Sequence, residues 1–138
     1  MTPIYTRIFA LGAITGMRTM LGPAFVAEEA SDNARRLFRV LAAGELLGDK
    51  LPRTPSRLEP LGLTGRMLSG AGVGYVLCRR AGRSPWLGMA LGAGAALAGA
   101  YGGYHARKAL GEVLHVPDAA VAVGEDALAY SVGRRFSR

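Results

Sequence analysis

The chain has 138 residues, of which 50% are hydrophobic but only 7% aromatic, and it contains 20 glycines with a formal net charge of +7. The length suits a single domain, residues 1–138. The apolar content excludes a disordered polyelectrolyte, and the glycines have neither the period of collagen nor the polar neighbours of a linker. A small glycine-rich soluble domain and a small integral membrane protein remain as classes.

The basic residues fall in short groups that separate apolar runs, whereas a nucleic-acid surface clusters them on one face with aromatic residues. Such groups are typical of the loops between membrane segments. We therefore expect the lipid bilayer, and no nucleic acid, as a partner; a basic soluble domain that touches RNA is the alternative. The groups are Arg35, Arg36 and Arg39; Lys50, Arg53 and Arg57; Arg79, Arg80 and Arg83; Arg107 and Lys108; and Arg134, Arg135 and Arg138.

The first predicted helix covers residues 8–27, which are apolar except for Arg18 at the middle. About 20 such residues suffice to cross a hydrocarbon core of roughly 30 Å. The alternative is a secretory signal peptide, but an arginine in the centre of the hydrophobic region and a weak basic start argue against one.

Two shorter or less apolar segments come next. Residues 37–51 carry Glu45 and Asp49 and end before two prolines. This pattern predicts a short or tilted span, a re-entrant helix or an amphipathic helix on the membrane surface. Residues 60–78 have spanning length, with Arg66 in their first half.

Residues 84–106 give the clearest prediction of a transmembrane helix. This segment of 23 residues contains no Asp, Glu, Lys or Arg, and as a helix it is about 34 Å long. Trp86 at one end and Tyr101 and Tyr104 at the other are where aromatic residues of the membrane interface belong.

The last predicted helix, residues 117–133, has spanning length but contains the acids Asp118, Glu125 and Asp126. We expect this helix and residues 37–51 to pack inside a bundle, because acids are tolerated there and not against acyl chains.

The glycines recur at a spacing that favours helix packing. Glycine inside a helix costs about 1 kcal/mol relative to alanine in water, whereas between membrane helices small residues let the backbones approach closely. Gly-x-x-x-Gly occurs in four of the predicted helices and predicts a tight bundle, and no glycine-rich nucleotide motif is present. The pairs are Gly12 and Gly16, Gly44 and Gly48, Gly70 and Gly74, Gly88 and Gly92, and Gly99 and Gly103.

Charges inside the predicted bundle need a partner or a function, because each costs a few kcal/mol at mid-membrane. We expect Arg18 and Arg66 each to pair with an acid from residues 37–51 or 117–133. The network is either a polar pathway or binding site, or a set of ion pairs that only fix helix register. Its candidate residues are Arg18, Glu45, Asp49, Arg66, Glu125 and Asp126.

The sequence around Arg18 resembles the sequence around Arg66, since Leu-Gly, Thr-Gly, Arg and Met-Leu recur in both when small gaps are allowed. A Gly-Glu pair follows each of them, first at 44–45 and then at 124–125. The pattern suggests two related halves, each an arginine helix followed by an acid helix, as in transporters built from repeats.

No motif in the sequence predicts catalysis, a metal or a cofactor. Cys78 is the only cysteine, His105 and His115 lack the spacing of zinc ligands, and Ser69 lacks a nucleophile elbow. We therefore expect a protein that is not an enzyme and that uses no metal and no cofactor.

Five blocks that cover nearly the whole chain resemble a widespread bacterial family of small multi-spanning membrane proteins, catalogued only as a domain of unknown function. They are GMRTMLGPA (16–24), AAGELLGDKLPRTPSR (42–57), GLTGRMLSGAGVG (62–74), GAYGGYHARK (99–108) and VGEDALA (123–129). The resemblance implies an all-helical fold and an integral location in the bacterial inner (plasma) membrane, and it implies no activity, substrate or catalytic residue.

We therefore predict an all-α fold, a polytopic membrane bundle of four to five transmembrane helices packed through glycine. With five spans, the side of the N-terminus carries six basic residues and the opposite side nine, which favours a cytoplasmic C-terminus. If residues 37–51 are re-entrant, four spans remain and the basic residues split evenly between the two sides. The predicted function is a small transporter or channel-like component of unknown substrate that forms a homo-oligomer. The alternative is a non-catalytic scaffold or accessory subunit of a larger membrane complex.

Overall fold

The structure is a computed structural model that describes residues 3–48 and 59–137. These residues form six α-helices and no strand, so the all-α prediction is confirmed. No helix within them combines the length and the apolar character needed to cross a membrane. The helices are α1 (Ile4–Met17), α2 (Leu21–Ala27), α3 (Asp32–Gly48), α4 (Pro60–Arg80), α5 (Pro85–Leu114) and α6 (Asp118–Phe136).

The prediction of a single helix over residues 8–27 is wrong, because this segment forms two helices. α1 stops before Arg18, which adopts an extended conformation with φ −141° and ψ 109°, and α2 begins three residues later. Pro23 explains the break. A continuous helix would need an N–H at Pro23 to donate to the carbonyl oxygen of Thr19, and the proline ring would clash with that carbonyl.

α2 turns back along α1, so the two helices form a hairpin. Gly22 of α2 lies so close to Thr15 of α1 that a Cβ added at Gly22 would overlap the Thr15 hydroxyl. The same Cβ would lie 2.8 Å from the carbonyl oxygen of Leu11. A glycine at this position therefore permits the close contact between the two arms of the hairpin.

The next predicted helices are found with shifted bounds. α3 begins at Asp32, five residues before the predicted segment 37–51, and residues 49–51 of that segment lie outside the described residues. α4 extends two residues beyond the predicted 60–78. α6 begins one residue after the predicted 117–133 and continues to Phe136.

α5 is longer than predicted. It begins one residue inside the segment 84–106 and continues for eight residues beyond it. The extension contains Ala, Leu, Lys and Arg, which are good helix formers despite their charge. The helix ends where His115 adopts the left-handed conformation with φ 51°, two residues before Pro117.

The helices run alternately between two ends of the molecule. Arg7 donates from Nε to the carbonyl oxygen of Phe136 and from Nη2 to that of Ser137, both at 2.9 Å, so α1 begins where α6 ends. We call this the terminal end, and the opposite end, where Arg18 contacts Asp126, the hairpin end. α1, α3 and α5 run toward the hairpin end, and α2, α4 and α6 run back.

This alternation corrects the five-span prediction, which put the two chain termini on opposite sides. The hairpin of α1 and α2 adds one reversal that the sequence did not indicate. As a result Arg7 lies with the C-terminal residues of α6 and not opposite them.

α5 lies between α1 and α4 and packs on α4 through glycines on both helices. Gly88 faces Gly74, and Gly92 faces Gly70. A Cβ added at any of these four positions would overlap the backbone of the opposite helix. The two helices therefore touch backbone to backbone, which is the contact that small residues permit.

The contact between α1 and α5 is similar. Gly12 and Gly16 of α1 lie against α5, and Gly99 of α5 lies against the backbone of Ala13. A Cβ at Gly16 would overlap the carbonyl oxygen of Ala96.

The remaining glycines of the predicted set differ in their surroundings. Gly103 is buried on α5, and Gly48 is the last residue of α3. Gly44 does not pack as predicted, because no atom of another described element lies within 4 Å of a Cβ added there. Within the described residues α3 packs only on α2, and Gly44 faces away from that contact.

The interior combines a small apolar core with two charged side chains. Ile8, Leu11 and Ile14 of α1, Phe25 of α2 and Leu77 of α4 are its largest apolar members. Arg18 and Arg66 are also buried, with only 3% and 6% of their surface exposed.

Large apolar side chains, in contrast, cover much of the outer surface. Leu61 and Leu68 of α4 are 87% and 68% exposed, and Phe9 of α1 is 58% exposed. Outward-facing leucines with inward-facing arginines reverse the usual distribution in water-soluble domains.

Candidate functional site

Arg18 lies at the turn between α1 and α2, and its guanidinium group reaches α6. Nε of Arg18 donates to Oδ1 of Asp126 at 2.8 Å, and Nη2 contacts the same oxygen. The Arg18 side chain is 4% exposed and that of Asp126 is 22% exposed, so the ion pair is largely shielded from solvent. The extended backbone of Arg18, which results from the break in the helix, directs the side chain across the bundle to α6.

The carboxylate of Glu45 binds backbone N–H groups of the same turn. Its Oε1 accepts the N–H of Thr19 at 2.6 Å, and its Oε2 accepts the N–H of Met20 at 2.7 Å. The first N–H groups of a helix have no partner within the helix, and a carboxylate satisfies them well. These two bonds make Glu45 the cap of the turn that precedes α2 and put it beside Arg18.

Glu125 and Asp126 are neighbours on α6 but have different partners. Oε2 of Glu125 lies 3.2 Å from Nη2 of Arg107 on α5, whereas Asp126 binds Arg18. Successive side chains on a helix point about 100° apart, so the two carboxylates diverge and do not form a dyad. Arg107 also lies 3.6 Å from Asp118, at the start of α6.

Sequence reasoning missed Arg107, because this residue belongs to a basic group just after the predicted helix 84–106. The signal was present in the helix-forming residues that follow it up to Leu114. A longer α5 places Arg107 opposite α6, and its role in the network follows from that length.

Arg18 is not at the middle of a helix, as the sequence indicated. It lies two residues beyond Gly16, which packs on Ala96 and Ala100 of α5. Because α1 and α5 run in the same direction with equal rise per residue, Arg18 is near the level of Tyr101. The Arg18–Asp126 pair is therefore close to the hairpin end.

Arg66 lies deeper in the bundle. Gly70, four residues further along α4, packs on Gly92, and α4 runs opposite to α5. Arg66 is consequently near the level of Ala96. Asp49, the remaining member of the predicted network, lies outside the described residues.

Five charged side chains form a row that enters the bundle from the hairpin end, and we call this row the charged file. Its members are Asp118, Arg107, Glu125, Asp126 and Arg18. Side-chain exposure falls from 82% at Asp118 through 28% at Arg107 to 11% at Glu125. It is 22% at Asp126 and 4% at Arg18. Two ion-paired groups make up this file: Arg107 lies between Asp118 and Glu125, and Asp126, the next residue after Glu125, pairs with Arg18.

Other chemistry-bearing residues do not join this file. Cys78 is buried on α4, and His105 lies edge-on to Tyr104 with ring centroids 5.4 Å apart. Within residues 3–48 and 59–137 no group of three or more His, Cys, Asp or Glu side chains is arranged to hold a metal ion.

Comparison of the chain with protein-family models, with curated proteins and with solved structures gives no match. The resemblance to a bacterial membrane-protein family stays a prediction.

Proposed function

We propose that the chain is an integral membrane protein that acts as a small transporter or channel-like component, with the charged file as its entrance. The observation that carries this proposal is the file itself, which runs from exposed Asp118 through Arg107 and Glu125 toward the buried pair of Asp126 and Arg18. Charges in a membrane bundle are costly, and they commonly mark ion and substrate pathways.

The outward side chains support the membrane location. Leucines and other large apolar residues face outward on α1, α3, α4, α5 and α6, whereas α5 contacts α1 and α4 through glycine and alanine. Where lipid surrounds a bundle, this arrangement removes the apolar surface from water and leaves helix association to close backbone packing. The support comes from the outward surface and not from the hydropathy of any one helix.

The aromatic residues of α5 suggest where the hydrocarbon core would lie. Trp86 is 74% exposed, and Tyr101 and Tyr104 are 44% and 37% exposed. The helix between Trp86 and Tyr104 is about 27 Å long, close to the roughly 30 Å of a bilayer core. Arg107 would then lie in the interface at the hairpin end, where water can reach it.

The direction of the helices supports transport over a purely structural role. The half α1–α3 and the half α4–α6 run in opposite senses, and each has a buried arginine, Arg18 directly after α1 and Arg66 on α4. Each also carries a Gly-Glu pair on its third helix, ending at Glu45 or Glu125. Inverted repeats with charged residues at their interface are a recurring plan of secondary transporters.

The test uses purified protein in lipid vesicles and measures the release of protons, chloride and potassium. We expect at least one of these ions to leave faster than from empty vesicles, and Glu125→Gln to slow that release at least tenfold. The matched control is Glu112→Gln, an exposed acid on α5 at the same end. Release equal to that of empty vesicles for all three ions would contradict the proposal.

The second candidate function is an accessory subunit of a larger membrane complex. The favouring observation is the segment where α5 meets α6, on which Val113, Leu114 and Val123 are 72%, 61% and 60% exposed. Native mass measurement separates the two functions. A homo-oligomer supports the transporter, and stoichiometric capture by an unrelated complex supports the subunit.

A further inference from the structure

A groove of about 340 Å³ follows α2 on the outside of the bundle. Pro23 and Val26 of α2 form its floor, Phe38 of α3 forms one wall, and Val73 and Val76 of α4 form the other. Among the described residues the backbones of α3 and α4 stay apart, so the groove opens to the surface between them. Its volume is in the range of ligand pockets, roughly 300–1,000 Å³.

Arg80 lies at the terminal end of this groove. Its Nη1 donates to the carbonyl oxygen of Val26 at 3.2 Å and lies 3.1 Å from Oε2 of Glu29. Both contacts use a single nitrogen, and a guanidinium group has five N–H donors. The side chain is 37% exposed, and the neighbouring Arg79 is exposed as well.

The acids near this mouth do not cancel its positive charge. Glu28 pairs with Arg39 at 3.1 Å. Glu29 lies between Arg80 at 3.1 Å and Arg7 at 3.6 Å. Arginines therefore outnumber acids among these contacts, and the mouth suits an anion.

We propose that this groove holds an acyl chain of an anionic phospholipid, whose phosphate contacts Arg80 and whose chain runs along α2 toward Met20. The lining is apolar along its length except for Ser69, while the basic group stands at one end only. That division matches a lipid with a charged head and an apolar tail, and basic pockets between membrane helices bind anionic headgroups in this way. The inference rests on the proposed membrane location.

Gly72 offers a direct test, because it lines the groove and no other described element lies within 4 Å of a Cβ added there. We expect leucine at this position to occupy part of the groove. The matched control is Gly94→Leu on α5, where a Cβ also meets no other described element within 4 Å.

The measurement is lipid retention by native mass spectrometry, with the purified protein titrated with phosphatidylglycerol or phosphatidylcholine. We expect the wild type to retain phosphatidylglycerol at least tenfold better than phosphatidylcholine. Gly72→Leu lowers the retention of phosphatidylglycerol at least tenfold, and Gly94→Leu does not. Arg80→Gln removes the preference between the two lipids.

Equal retention of the two lipids by the wild type overturns the inference, and so does unchanged retention in Gly72→Leu. If Gly72→Leu does not fold, Ser69→Leu fills the same groove and decides in its place. Carbonate washing of membranes separates the two proposals. A wild type that leaves the membrane pellet contradicts the membrane location, whereas one that stays there without the lipid preference contradicts only the groove.

Discussion

Arg18 and Asp126 are the residues on which the interior depends most. A buried guanidinium group loses its hydration, and the nearby carboxylate and its hydrogen bond compensate for that loss. Removing one member of a buried pair is more harmful than removing both, because a single removal leaves an uncompensated charge.

We therefore expect Asp126→Asn to lower the free energy of unfolding by about 3 kcal/mol. The double variant Arg18→Gln, Asp126→Asn should recover part of that loss. Chemical unfolding in detergent gives both values. The control is Arg39→Gln, which removes the exposed pair with Glu28 and should cost no more than about 1 kcal/mol.

Single variants at Arg18 and Asp126 that are as stable as the wild type would show that the pair contributes nothing to the fold. Losses that add fully in the double variant would show that the two residues act independently.

Among the individual residues of the site, the sequence predicted some of the contacts. Because a buried arginine is costly, it predicted an acidic partner for Arg18 from residues 37–51 or 117–133, and Asp126 is that partner. The capping of α2 by Glu45 could not be predicted, because it requires the break at Arg18. Arg107 was missed because its helix was expected to end at residue 106.

Two elements decide how the bundle is assembled. The first is the α1–α2 hairpin, which follows from one proline in an apolar run. Pro23 was visible in the sequence, but an apolar segment of spanning length favoured one continuous helix. The second is α5, whose glycines let α1 and α4 approach it from two sides.

The glycine contact gives a prediction for α5. Gly92→Ala should lower the free energy of unfolding by roughly 1–3 kcal/mol, because the added methyl overlaps the backbone of Gly70 and forces α4 away. Gly94→Ala, two residues along the same helix, should be neutral or stabilise by up to about 1 kcal/mol. Thermal or chemical unfolding of the two variants in the same detergent makes the comparison.

Equal stabilities for these variants would mean that α4 and α5 do not pack through Gly92.

The spacing of the glycines predicted a contact of this kind. It did not indicate that Gly44, which has the same spacing, lies outside any helix contact among the described residues.

At the scale of the molecule, the charges of residues 3–48 and 59–137 are distributed unevenly between the two ends. The terminal end carries nine basic and three acidic residues among the described ones, and the hairpin end, with the Arg18–Asp126 pair and Glu45, carries three basic and six acidic. The basic residues at the terminal end are Arg7, Arg35, Arg36, Arg39, Arg79, Arg80, Arg83, Arg134 and Arg135. The positive-inside rule then favours a cytoplasmic terminal end.

The sequence could predict a helical molecule from its long apolar segments and from the spacing of its glycines. It could not predict which charged residues and which termini lie at the same end, because the number of chain reversals depends on the α1–α2 hairpin. Moving Arg7 to the side of the larger basic groups strengthens the charge asymmetry and puts both termini on one side of the proposed membrane.

The central claim is a membrane bundle with an even number of passes, and the location of the two termini tests it most directly. A reporter that is active only in the cytoplasm and one that is active only outside it are fused in turn to the N-terminus and to the C-terminus. The proposed membrane bundle predicts that the cytoplasmic reporter is active at both termini and that the protein stays in the membrane after carbonate washing. Reporters active on opposite sides, or a protein released by the wash, would contradict the account.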